Sequence, residues 1–228
     1  MNGTYRIAEG VYIIGGPQMS ASEDAAVFIV ECDKDIVMID SGAGRSVKKI
    51  VHNIESLHIN PGHIRIIILT HCHIDHIGGA PYFREHFGCK LICHENDAES
   101  IETGDPIKTA STWYGVSFPP TSIDRTISSE HEVLYFGTDA IHCIHTPGHT
   151  PGSVSLYLDR DNKRILFGQD IHGPFLASFN SDMSLWRQSM RKLLALNADI
   201  LCEGHFGIFK NRDKVESYIS GYLREYEE

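Results

Sequence analysis

Runs of apolar residues in the first half of the chain predict a set of strands. Residues 5–14 predict two short strands with a turn between them. The segments 25–31 and 36–40 are apolar and partly β-branched, which is typical of strands. The continuous apolar run 64–70 fits a strand that is buried on both faces, and residues 89–95 predict one more strand.

Apolar residues at helical spacing separate these strands. Five of them recur at short intervals and predict an amphipathic helix over residues 45–58: Val47, Ile50, Val51, Ile54 and Leu57. Shorter helices are predicted over 78–88 and 96–104. Residues 105–130 show no period, so irregular structure is predicted there.

The second half of the chain repeats this order of elements. Its predicted strands are 131–137, 140–146, 153–159, 163–168 and 199–204. Its predicted helices are 182–197, with Leu185, Met190, Leu193 and Leu194 on or near one face, and 211–226. We therefore expect an α/β fold in which two similar sheets pack on each other with helices outside. Since no segment has linker composition, residues 1–228 are predicted to form one domain.

Composition and charge exclude several classes of protein. The chain has 228 residues, of which 42% are hydrophobic. No segment approaches the roughly 18–20 apolar residues that cross a bilayer, and the N-terminus shows no secretory signal. Six scattered cysteines suggest no disulfide framework, which favours the cytoplasm. The 20 basic and 30 acidic residues give a net charge of -10, which argues against a nucleic-acid partner and favours a small-molecule substrate.

Side chains that can bind metal follow several of the predicted strands. The stretch HCHIDH comes directly after strand 64–70 and holds four donors: His71, His73, Asp75 and His76. His149, Asp170 and His205 each follow another strand farther along the chain. Because the loops at one end of a sandwich-like fold converge, we expect the seven side chains to meet at one edge.

The number and type of these donors predict a site for two metal ions. Imidazole nitrogen and carboxylate oxygen are suitable ligands for zinc, iron or manganese. A single catalytic ion takes about three protein ligands plus water, so seven candidates are too many for one ion. They fit two ions with one aspartate between them, an arrangement that can hold a bridging hydroxide.

On these residues the chain resembles the metallo-β-lactamase superfamily, whose fold is a four-layer αββα sandwich. HCHIDH resembles its H-x-H-x-D-H motif, TPGHTPGS its second metal loop, LFGQD its bridging-aspartate element and EGHFG its last histidine motif. The similarity extends from GVYIIGG through VMIDSGAG to His205 and covers nearly the whole chain. The implied ligands are His71, His73 and His149 for one ion, Asp75, His76 and His205 for the other, and Asp170 for both.

Differences between branches of the superfamily narrow the implied activity. The true β-lactamases lack the bridging aspartate, so Asp170 makes the chain more similar to the glyoxalase II, lactonase and persulfide dioxygenase relatives. A typical glyoxalase II carries a further helical domain that binds substrate, whereas only about twenty residues follow His205 here. The lactonases of this fold have a tyrosine where this chain has Gly173.

The resemblance implies an enzyme, a hydrolase in which a metal-bridging hydroxide attacks a small ester, thioester or lactone. Zinc is the expected metal, with iron and manganese as alternatives, and Asp75 is the expected proton shuttle. One alternative function is an iron-dependent oxidoreductase similar to persulfide dioxygenases, with one iron at His71, His149 and Asp170. Hydrolysis of β-lactams and metal binding without turnover are the others.

Residues outside the implied ligand set leave further alternatives open. The resemblance implies that Asp40 supports the ligand loop by hydrogen bonding, and the other reading is a turn or helix cap. His172 is either a substrate contact or an ordinary loop histidine. The aromatic stretch 111–120 is either a lid over the metals or a loop that packs into the core. Arg187 either holds a substrate carboxylate or lies on a solvated helix face.

Overall fold

The computed structural model describes residues 4–226, which contain two β-sheets packed face to face. The first sheet has seven strands in sequence order: β1 (Tyr5–Ala8), β2 (Val11–Gly15), β3 (Val27–Cys32), β4 (Asp35–Ile39), β5 (Ile64–Ile68), β6 (Lys90–His94) and β7 (Arg125–Ile127). Strands β1 to β4 pair antiparallel, and β4 to β7 pair parallel. Parallel pairing brings the carboxyl ends of β4, β5 and β6 to the same edge.

The second sheet, in the same described range, has six strands. In chain order they are β8 (His131–Phe136), β9 (Asp139–His145), β10 (Val154–Arg160), β11 (Lys163–Phe167), β12 (Ile200–Glu203) and β13 (Gly207–Lys210), and the order across the sheet is the reverse. Only β11 and β12 pair parallel among these described strands.

Helices cover the outer face of each sheet. The helices are α1 (Val47–Ser56), α2 (Ile74–Ile77), α3 (Ala80–Phe87), α4 (Glu95–Thr103), α5 (Met183–Ala195) and α6 (Arg212–Glu225). Helices α1, α3 and α4 pack on the first sheet, and α5 and α6 pack on the second. None of the helices within residues 4–226 is long and apolar enough to cross a membrane.

The alternation of strand side chains explains why the two sheets share a core. In β3, Phe28 and Val30 point to the second sheet, whereas Val27 and Ile29 point to the helices. The rings of Phe28 and Phe167 meet edge to face between the sheets, with centroids 5.2 Å apart. The predicted αββα sandwich is therefore confirmed.

Most predicted elements lie within a few residues of the observed ones, and three observed elements were not predicted. Strand β7 falls inside the segment 105–130, which was predicted to be irregular. Strand β13 is a short hairpin partner of β12 with only partly buried residues, so it lacks a strong apolar signal. Helix α2 is a single turn of four residues inside the donor stretch.

Candidate metal centre

The seven predicted donors lie together at the edge where β5, β9, β11 and β12 end. His71 and His73 follow β5, and α2 carries Asp75 and His76. The other three come from the loops after β9 and β11 and from the β12–β13 turn: His149, Asp170 and His205. Six of the seven residues are buried, while the His205 side chain is 24% exposed.

A first group of donors surrounds one oxygen of Asp170. His71 Nε2 and His149 Nε2 lie 3.6 and 3.2 Å from Asp170 Oδ2. His73 Nδ1 lies 2.8 Å from His149 Nε2. The backbone oxygen of Pro174 lies 2.9 Å from His149 Nδ1, which holds that nitrogen as the donor and leaves Nε2 to face the group.

A second group surrounds the other oxygen of the same aspartate. His76 Nε2 and His205 Nε2 lie 3.3 and 3.1 Å from Asp170 Oδ1. Asp75 Oδ2 lies 3.6 Å from His76 Nε2 and 3.4 Å from His205 Nε2. Asp170 therefore directs one carboxylate oxygen to each group, as a bridging ligand would.

The chemistry of these atoms fits metal ions. His71 Nε2, His76 Nε2 and Asp170 Oδ1 are buried and make no hydrogen bond of acceptable geometry. Buried polar atoms are normally satisfied, so such atoms facing one another need an explanation. The donor atoms of each group lie within 4.8 Å of one another, and a divalent ion would satisfy them.

The electrostatics of the centre separate neutral from charged groups. Burial lowers the pKa of His71 and His73 well below the usual histidine value, so their nitrogens are free to bind a metal. Burial also acts to lower the pKa of His76, but the carboxylates of Asp170 and Asp40 outweigh it and raise that pKa. Burial acts to raise the pKa of Asp170, but the surrounding histidines hold it well below its usual range.

Asp40 supports the donor stretch through a network of hydrogen bonds. Its Oδ2 lies 2.7 Å from His76 Nδ1, and its two oxygens accept the Thr70 hydroxyl and backbone amide, each at 2.8 Å. Gln169, the neighbour of Asp170, donates to the same Oδ2 at 2.9 Å. Asp40 is fully buried. Asp40 thus contacts the donor stretch directly, and the residue at the N-cap of α1 is Ser46.

Asp97 is a buried carboxylate at the centre that sequence reasoning missed. It accepts the backbone amide of Cys72 at 3.0 Å, and thereby holds the loop between His71 and His73. It also accepts the Thr150 hydroxyl at 2.7 Å and the Gly152 amide at 2.8 Å, in the loop that carries His149. Its position on α4 gave no local signal, because its partners are distant in sequence.

Three further candidate residues, His172, Arg187 and Cys72, make specific polar contacts. His172 lies beside the centre, with Nδ1 3.2 Å from Oε1 of the buried Glu203. Glu203 Oε2 accepts the His205 backbone amide, so this pair supports the last histidine loop. Arg187 donates to the backbone oxygen of Tyr226 at 3.3 Å. Cys72 is buried and directs its sulfur to the Lys108 carbonyl.

The chain belongs to the metallo-β-lactamase superfamily. The family model for this superfamily matches residues 23–205, which include all seven donors. The match covers most of the chain, and the resemblance drawn from the motifs is thereby confirmed.

Individual relatives are similar to the chain over most of its length. It is 28% identical over 193 residues to the hydroxyacylglutathione hydrolase GloC of Haemophilus influenzae, covering 80% of this chain and 85% of that protein. It is 24% identical over 186 residues to the acyl-coenzyme A thioesterase MBLAC2 of Bos taurus, covering 72% and 64%.

Solved structures are similar in fold. The metallo-β-lactamase GOB-18 of Elizabethkingia meningoseptica superposes with a TM-score of 0.81 over 98% of this chain and 89% of that one, at 23% identity. At this identity the likeness establishes the four-layer fold alone. The family match and the relatives, rather than this structural likeness, make the chain a metallo-hydrolase of the superfamily.

Proposed function

We propose that this protein hydrolyses a small thioester, with esters and lactones as related substrates, at a centre of two divalent metal ions. One observation carries the proposal: Asp170 turns Oδ2 to His71 and His149, and Oδ1 to His76 and His205. A carboxylate shared in this way suits two ions better than one. Zinc is the first candidate, since the donors are imidazoles and carboxylates.

The names of two relatives support a thioester as the substrate. Hydroxyacylglutathione and acyl-coenzyme A are both thioesters, and both proteins match this chain over most of its length. The match covers 85% of the first relative, so most of the length of that protein corresponds to this chain. The acidic net charge of -10 supports a small-molecule substrate rather than a nucleic acid.

The residues of the centre have distinct proposed roles. Two divalent ions bound at these groups would lower the pKa of a water held between them and polarise the substrate carbonyl. Asp40 and the Pro174 carbonyl fix the orientation of His76 and His149. Water adds to the acyl carbon, the carbon–sulfur bond breaks, and the proton of the water reaches the thiolate. We assign the transfer of that proton to the buried carboxylate of Asp75.

Metal content combined with a substrate panel tests the proposal. Purified protein should contain two ions per chain by mass spectrometry, and should release thiol from acyl thioesters faster than it opens lactones or β-lactams. One iron per chain with oxygen uptake on a persulfide would replace the proposal with the oxygenase alternative. Two bound ions without turnover on any of these substrates would contradict it.

A further inference from the structure

We propose that Trp113 and Phe179 form an apolar wall that binds the acyl group of the substrate, so that the enzyme prefers thioesters with alkyl or aromatic acyl groups. This inference rests on the proposed hydrolase function. The pair is called the aromatic wall below. The wall contacts the metal centre, is partly exposed to solvent and is held to the donor loops by hydrogen bonds.

The aromatic wall extends from the metal centre to solvent. The ring of Phe179 lies against that of His73, with centroids 4.3 Å apart, and is itself buried. The ring of Trp113 lies against that of Phe179, with centroids 5.0 Å apart and an angle of 49° between the ring planes. Trp113 is 59% exposed. A ligand at the centre can therefore bury exposed indole surface without any rearrangement of the core.

Hydrogen bonds attach both sides of the aromatic wall to the loops that carry donors. On the Trp113 side, the amide of Ile74 donates to the carbonyl of Thr109 at 2.7 Å. On the Phe179 side, the hydroxyl of Ser181 donates to the carbonyl of His149 at 2.7 Å. The wall thus keeps a defined position relative to both groups of donors, as a specificity element must.

The rest of the aromatic stretch packs differently and explains why only one of its rings is available. Phe118 is buried in the core that α3 and α4 cover. Tyr114 packs against the same core and interacts with the Asp75 carboxylate. The stretch 111–120 therefore packs partly into the core, as one of the two readings of its sequence expected. It anchors one end in the core and presents Trp113 beside the centre.

The chemistry of the aromatic wall favours the acyl group over the leaving thiol as its occupant. The exposed ring of Trp113, backed by the buried ring of Phe179, offers an apolar surface of limited size, which suits a short alkyl chain or a single ring. The thiol of a glutathione or coenzyme A ester carries charged groups, which gain little from such a surface. A preference set by the leaving group is the competing outcome of the experiment.

A chain-length series tests the inference through activity. Acetyl, hexanoyl and phenylacetyl thioesters, each of a small neutral thiol and of glutathione, are compared by thiol release in the metal-loaded protein. Trp113→Ala should lower kcat/KM for the two larger acyl groups by about five- to tenfold, given the strength of aromatic contacts, and leave the acetyl esters within about twofold. Trp113→Phe should recover part of the loss.

Ile107→Ala is the matched control. Ile107 is 55% exposed and lies six positions before Trp113 in the same loop. This variant should leave kcat/KM for all of these substrates unchanged. Thermal unfolding and metal content should match wild type in both variants, because both side chains are mostly exposed.

Fluorescence provides a readout that does not depend on turnover. The sequence has two tryptophans, and Trp186 is 2% exposed. Phenylacetate, a product of the reaction, should change the emission of the zinc-loaded protein, whereas acetate should not. The change should disappear in Trp113→Phe, in which only the buried tryptophan remains.

The outcomes separate the two proposals. If wild type hydrolyses no thioester, the proposed function fails, and the fluorescence titration still decides on the aromatic wall. If thioesters are hydrolysed but Trp113→Ala affects acetyl and phenylacetyl esters equally, and phenylacetate leaves Trp113 emission unchanged, the wall inference is wrong. An effect of Trp113→Ala on kcat/KM that depends on the thiol instead of the acyl group would overturn the inference as well.

Discussion

At the scale of single residues, two aspartates hold unusual backbone conformations at the centre. Asp40 and Asp170 have φ values of 58° and 50°, in the left-handed region that most side chains avoid. Asp40 directly follows β4, Asp170 lies three residues after the end of β11, and both turn a buried carboxylate into the site. Residues strained in this way often belong to functional sites, where the surrounding contacts maintain them.

Replacement of Asp170 by asparagine removes the shared carboxylate and keeps the shape of the side chain. Bound metal should fall below two ions per chain, and turnover should drop by at least about 100-fold. Even the loss of a residue that only hydrogen-bonds to a metal ligand lowers metal affinity or activity by up to about 100-fold. Metal analysis and kcat/KM measure these effects. Asp161→Asn is the control, because Asp161 also has a left-handed φ, 54°, but lies in an exposed turn. Unchanged metal content in the Asp170 variant would contradict the shared role.

Replacement of Asp40 by asparagine tests the supporting network. The amide cannot accept from His76, Thr70 and Gln169 together, so the ring of His76 loses its fixed orientation. We expect metal affinity at the second group to fall by about 10- to 100-fold. Competition with a chromophoric chelator measures the affinity. Equal affinity in variant and wild type would favour a purely local turn role for Asp40.

At the scale of elements, apolar periodicity predicted the positions of the helices and strands well, but it did not always predict which side chains of a helix face the core. Helix α5 was expected to bury Leu185, yet that residue is 39% exposed and Trp186 is buried instead. The indole nitrogen donates to the carbonyl of Ile171, one residue after Asp170. A tertiary contact with the loop that carries Asp170 therefore decided which side chains at the start of α5 face the core.

The packing of α5 against the His149 loop gives a prediction at this scale. A Cβ on Gly148, whose φ is 140°, would lie 2.4 Å from the Trp186 Cα, so Gly148→Ala must displace the loop or the helix. We expect it to lower the free energy of unfolding by about 2–4 kcal/mol, the range for overpacking combined with backbone strain.

Gly88→Ala is the matched variant for this prediction. Gly88 also has a positive φ, 69°, but a Cβ there would meet nothing within 4 Å. Its cost should be about 1 kcal/mol, from the backbone conformation alone. Urea unfolding of both variants measures the difference. Similar losses in the two would mean that the contact with Trp186 relaxes without cost.

At the scale of the whole molecule, the centre joins the two halves of the sandwich. Asp97 connects the donor loop of the first half to the His149 loop of the second. Nearby, His94 of β6 stacks on His145 of β9, with centroids 3.8 Å apart and rings nearly parallel. The core between the sheets also draws on both halves.

The stacked histidines predict how stability depends on pH. Burial, together with the neighbouring His145, lowers the pKa of His94 from 6.5 to about 4, and Glu130 opposes this shift only weakly. His94 thus stays neutral in the folded protein while the unfolded chain binds a proton below about pH 6.5, so its contribution is complete above that pH and is lost towards pH 4.

Urea unfolding at pH 7.5 and pH 5 measures this contribution. After allowance for partial solvation, wild type should lose about 1 kcal/mol more than His94→Gln over this interval. His52→Gln, at an exposed position of α1, should behave like wild type. An equal loss in wild type and His94→Gln would contradict the prediction.

The sequence by itself determined most of the strands and helices and the types of the metal-binding side chains. These features are local, since apolar periodicity and the residues that end a strand can be read within a short window. The four motifs were recognisable for the same reason, although they lie far apart in the chain.

Only the tertiary structure decided which oxygen of Asp170 faces which histidine, that Asp97 connects two loops, and that Trp113 lies beside the centre. These relations depend on contacts between residues that are tens of positions apart, and the packing of the two sheets fixes them. No short segment carries that information, because each of these side chains would be an ordinary loop or helix residue if its own element stood alone.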